Sequence, residues 1–72
     1  MTPVTSEQKA AIAEVRNFYE AKLAEQQVLH QSRMRQSVDV AEREKMEEEY
    51  RRDRERFTAD RDAKIAKIRK RS

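Results

Sequence analysis

The chain has 72 residues, 43% of them charged and 36% hydrophobic, and 17 lysines and arginines against 14 acids give a net charge of +3. That length holds one small domain over residues 1–72 with little self-sufficient core, and the absence of cysteine excludes a disulfide framework and thiolate chemistry. No apolar run is long enough to cross a membrane, and no secretory signal is evident, so the expected location is cytoplasmic, with the nucleus as the alternative.

High charge with low hydrophobicity is also the composition of disordered chains. Against disorder stand zero Gly, one Pro and an abundance of Ala, Glu, Arg, Lys and Gln. These are strong helix formers, so the composition reads as coiled coil or long helix.

Met1–Thr5 is a lead-in. Thr2-Pro3 places proline where a helix can start, but Thr5-Ser6-Glu7-Gln8 is the stronger start signal. Thr5 can cap the first amides, and Gln8 can reach back to complete a capping box, with Val4 as a hydrophobic staple. The first helix is expected from about residue 6 to about residue 34. Its larger apolar residues include Ile12, Val15, Phe18, Tyr19, Leu23, Val28, Leu29 and Met34, mostly in steps of three and four. Ile12, Leu23 and Met34 are eleven apart, as are Phe18 and Leu29. An eleven-residue period favours nearly straight packing over a left-handed supercoil; an ordinary 3.6-residue stripe is the alternative.

Residues 35–39 form the expected tip. Val38 and Val40 are β-branched and weak in helices. Ser37 and Asp39 compete for backbone hydrogen bonds. Asp39 with Glu42 repeats the capping signature, and Arg33 and Arg35 suit the end of a helix dipole. The usual C-cap glycine is missing. The second helix is expected from about residue 40 to about residue 70, with Met46, Tyr50, Phe57, Ile65 and Ile68 on its stripe. Arg54 and Arg61 sit where that stripe would otherwise continue and can cover apolar surface with their stems.

If the chain turns near Ser37, antiparallel pairing sets Phe18 near Phe57, Leu23 near Tyr50, and Val28 and Leu29 near Met46. Met34 then lies near Val40, Ile12 and Val15 near Ala59 and Ala63, and Val4 near Ile68. Most large apolar residues gain a partner, which favours a hairpin over one continuous rod. Glu20 with Arg54, and Glu25 with Lys45 or Arg51, are candidate pairs flanking the seam. The expected fold class is all-α, an antiparallel two-helix hairpin. Phe18 beside Tyr19, and Val28 beside Leu29, widen the apolar face beyond one seam. Completion of a four-helix bundle as a homodimer follows from that, with a heterologous helical protein as the other partner class.

Catalytic residues, a metal site and a cofactor loop are not expected. His30 is the single histidine, and its helical neighbours Gln26, Gln27 and Met34 include no carboxylate. The run Glu42, Glu44, Glu47, Glu48 and Glu49 can be answered by Arg43, Arg51 and Arg52 as a charged, solvated face. A phosphate loop requires glycine. No small-molecule substrate and no membrane partner are expected. The charge polarity has more reach: between Arg51 and Arg71 there are ten lysines and arginines against four acids. Arg61, Lys64, Lys67, Arg69, Lys70 and Arg71 are candidate nucleic-acid contacts. Basic residues also simply stabilise a helix C-terminus.

The tip Val38-Asp39-Val40-Ala41, with Glu47-Glu48-Glu49-Tyr50 and Arg52-Asp53-Arg54-Glu55-Arg56, resembles part of the coiled-coil hairpin factors of the DksA kind. Those factors insert into the secondary channel of bacterial RNA polymerase. Gln36 stands where that family has its earlier tip aspartate, and the family's zinc-binding cysteines are absent. The resemblance implies Asp39 and Ala41 as tip contacts and transcription regulation as a function. The expected function is otherwise a non-enzymatic helical module for protein association, with nucleic-acid binding as the alternative.

Overall fold

The computed structural model describes residues 3–71, so Met1 and Thr2 of the lead-in, and Ser72, lie outside the described residues. Two helices of 31 residues each, α1 (Ser6–Gln36) and α2 (Val40–Lys70), pack against each other as a hairpin. The molecule measures 53 × 16 × 11 Å. A continuous helix of this chain would extend on the order of 100 Å. Among the described residues there is no strand.

Local chemistry explains where each helix begins. Thr5 is extended at φ −73° and ψ 165°, and its Oγ1 accepts from the Gln8 amide at 3.1 Å. Gln8 Oε1 accepts from the Thr5 amide at 2.8 Å, which completes the capping box. At α2, Asp39 Oδ1 accepts from the Ala41 amide at 3.2 Å. Glu42 does not complete a second box. Its carboxylate accepts instead from the Ser37 hydroxyl at 3.3 Å.

The first helix runs through Gln36, beyond the expected end near residue 34, and the connection shrinks to Ser37, Val38 and Asp39. The missing glycine is no obstacle, because Ser37 leaves the helix extended, at φ −96° and ψ 132°. No described residue has positive φ. Arg43 takes over the task of a C-cap. Its Nη1 donates to the carbonyls of Met34 at 2.6 Å and Ser37 at 3.1 Å, satisfying acceptors that a helix end leaves orphaned.

The less exposed residues of α1 are Gln8, Ile12, Val15, Tyr19, Leu23, Gln26, His30 and Met34, with Ala11 at the margin and Val4 just before the helix. Their steps repeat every eleven residues: Gln8 to Tyr19 to His30, and Ile12 to Leu23 to Met34. The eleven-residue stripe therefore describes the seam, and it carries polar residues that hydrophobicity alone passes over. On α2 the seam uses Met46, Tyr50, Asp53, Phe57, Arg61, Ile65 and Ile68. Among the described residues only Ile12, Tyr19 and Ile65 are buried, at 5–7% exposure. Each such side chain contributes about 1.5–3 kcal/mol on transfer from water.

The pairing differs from the expected register. His30, rather than Leu23, meets Tyr50, with ring centroids 4.1 Å apart. Phe18 lies beside Lys64 rather than Phe57, and Gln8 bonds the Ile68 carbonyl. Two physical effects shift the register. The three-residue connection is centred on Val38 rather than Ser37. In addition, side chains lean toward the N-terminus of their own helix, so antiparallel partners reach toward each other across an offset between their Cα positions.

Candidate interaction surfaces

Three parts of the hairpin present chemistry: the polar half of the seam, an apolar edge on α1, and the basic open end. In the polar half, the His30 and Tyr50 rings stack at an interplanar angle of 7°. His30 Nε2 lies 3.2 Å from Glu47 Oε1, the one described ion pair between the helices if the ring is protonated. The expected pairs of Glu20 with Arg54, and of Glu25 with Lys45 or Arg51, are not among the described ion pairs. Arg54 instead lies over the Tyr50 ring, 5.6 Å from its centroid, and donates to the Tyr50 hydroxyl at 3.0 Å. Next to this stack, Gln26 Oε1 is buried without a hydrogen-bond partner. Other acids are answered within α2, as in Arg52 with Glu48 at 3.0 Å and Arg56 with Asp53 at 3.6 Å.

Phe18 and Leu29, expected in the seam, lie at its edge, 54% and 55% exposed, with Lys64 of α2 over the Phe18 ring and Leu29 sharing a groove with Met46 and Tyr50. The reason is a competition between neighbours: a helix turns ~100° per residue, so of Phe18 and Tyr19 only one can face the partner. Tyr19 takes the seam at 5% exposure. Among the remaining candidates, Ile12 and Ile65 are buried, and Val15, Leu23, Met46, Tyr50, Phe57 and Ile68 are half-buried. Phe18 meets Tyr19 edge to face at 5.1 Å. Lys22 and Lys64 lie over its ring at 5.7 and 6.0 Å. Leu29 follows Phe18 along the same edge, about 16 Å away at 1.5 Å per residue, and Val28 beside it is 66% exposed.

The basic candidates do not share one face. Arg61 is half-buried, with Nε 3.0 Å from Asp62 Oδ1. Lys64 and Lys67 border a shallow groove with Tyr19 and Asp60 on the Phe18 side. Hydrogen bonding to the Tyr19 hydroxyl, and then its charge, holds the Lys64 ammonium above its ordinary pKa. Arg69 and Lys70 border a groove on the other side, with Arg16 of α1. At the extreme end the Arg71 amide donates to the Ile68 carbonyl at 3.2 Å. Gln8 Nε2 donates to the carbonyls of Ile68, at 2.9 Å, and Arg71.

At the tip, Val38 and Val40 are 96% and 69% exposed. Asp39 is engaged in capping through Oδ1, and Ala41 is exposed. No described helix is long and apolar enough to cross a membrane, and no group of three metal-liganding side chains occurs among the described residues.

Gln26 and Asp53 escaped the sequence reading as seam residues and Arg43 as a cap; Gln8 was read as a cap but not as a contact with α2, and His30 was not placed in the seam. The eleven-residue spacing carries the signal for Gln8 and His30, and Gln26 continues the step from Val15. Comparison with known protein families, curated proteins and solved structures finds no match to this chain.

Proposed function

We propose that the chain is a non-enzymatic helical association module that acts as a homodimer, two hairpins forming a four-helix bundle through the α1 edge of Phe18 and Leu29. The supporting observation is surplus surface. A compact protein of this mass exposes about 4,700 Å², whereas the hairpin exposes 6069 Å². Its Cα radius of gyration, 16.6 Å, likewise exceeds the roughly 11 Å of a compact domain of this length. A standard interface covers about 800 Å² of each partner, and one face of the hairpin, 53 by 16 Å, supplies that area. Three large apolar side chains on the α1 surface, Phe18, Val28 and Leu29, are available to be covered.

Light scattering coupled to size exclusion tests this reading. The expected mass is about twice 8.6 kDa. Phe18→Glu with Leu29→Glu should give a monomer that keeps most of its helix content, because both side chains are more than half exposed and the buried residues Ile12, Tyr19 and Ile65 are untouched. A wild-type monomer at submillimolar concentration would remove the homodimer and leave a heterologous helical partner as the occupant of this edge.

A further inference from the structure

The two helices bring together a basic surface at the open end that neither carries alone. Arg16 of α1 and Arg69 of α2 border the same two adjoining shallow grooves, with Lys9 at one side and Lys70 at the other. All four side chains are exposed, and none is among the described ion pairs. Two acids border these grooves, Glu20 and Asp62. Asp62 is already answered by Arg61 at 3.0 Å, so the surface keeps a positive excess.

We propose that Lys9, Arg16, Arg69 and Lys70 form a docking surface for the phosphate backbone of nucleic acid. Three observations select this partner. The grooves are shallow and open along the hairpin, which suits a rod-like polyanion better than an enclosed small anion. Lys9 and Arg16 are separated by about 10 Å along α1, the rise of roughly three nucleotides of one strand. The exposed large apolar residues, Phe18, Val28, Leu29, Val38 and Val40, all lie elsewhere, so no apolar wedge accompanies the cations as interfacial membrane binding requires. No aromatic residue borders the two grooves, so binding is blind to sequence and driven by counterion release. The surface is also independent of the proposed dimer edge. Arg16 and Phe18 are two positions apart on one helix and point to roughly opposite sides.

The test is fluorescence anisotropy of short labelled duplex and single-stranded DNA across a salt series, with vesicles of anionic lipid as a separate arm. Four phosphate contacts predict a slope of log affinity on log salt between about −3 and −4 for duplex. Arg16→Glu with Arg69→Glu should lower low-salt affinity at least tenfold and flatten the slope by about two. Lys45→Glu with Arg51→Glu, an equal charge change at exposed positions nearer the tip, should leave affinity within about twofold, and circular dichroism should show both variants folded. Equal losses in the two variants would mean that net charge acts without a site, and would overturn the proposal. So would absence of nucleic-acid binding at low salt, or binding to vesicles alone.

Discussion

The two halves of the seam are held by different chemistry. Toward the open end lie the three buried residues among those described, Ile12, Tyr19 and Ile65. Toward the tip the seam contains Gln26, His30 and Asp53 between half-buried Met34, Met46 and Tyr50. Dehydration of apolar surface dominates the first half, and it is non-directional. The second half relies on a ring stack, a charge-assisted contact and an arginine clamp, which demand particular orientations. A hairpin with one seam thus obtains cohesion from one end and alignment from the other.

The largest test removes the apolar half. Ile65→Ala should cost about 2–5 kcal/mol, enough to unfold much of so small a domain in thermal denaturation. An equal loss from His30→Ala would erase the contrast between the halves. Gln26→Leu should stabilise by about 1–2 kcal/mol, since it replaces a buried carbonyl oxygen that has no partner with apolar volume. A lower denaturation midpoint for that variant would show that the amide oxygen is satisfied in solution. Arg43→Ala should cost about 1 kcal/mol and raise hydrogen exchange locally in the last turn of α1, where it bonds the Met34 carbonyl. His30→Ala should cost about 0.5–1.5 kcal/mol by losing the stack on Tyr50, with His30→Phe recovering most of it.

The smallest effect is alkaline. The folded-state pKa of Lys64 is raised, so its contribution is fully present below the ordinary value of 10.5 and is lost as pH rises through the folded value. Lys64→Met should flatten that part of a curve of Tm against pH and leave the neutral region unchanged.

What could be read from the chain was what local chemistry determines. Thr5 with Gln8, and Asp39 at the second start, are capping signals whose partners lie within three residues. Helix formers filling both arms made the helical class legible, and the β-branched pair Val38 and Val40 marked the turn. The choice between Phe18 and Tyr19 was hidden, because either residue fits an apolar stripe and the decision depends on the phase of the whole helix. A polar seam was hidden for a related reason. Gln26, His30 and Asp53 disappear from a list of apolar residues, though they keep the spacing. Register depended on side-chain lean and on three connecting residues, neither of which hydrophobicity encodes.

The Gln8 side chain, which bonds both the start of α1 and the end of α2, also has a mechanical consequence. Thr5 and Arg71 emerge side by side, so tension applied through them meets the seam as a peeling load. Peeling breaks contacts one layer at a time, whereas shear along the helices would engage every layer together. The force is met first by a single amide, and only afterwards by Ile65, Ile12 and Tyr19. Once the amide lets go, the apolar layer behind it carries the load, so resistance to stretching should come in two steps, a brittle clasp and then a compliant core.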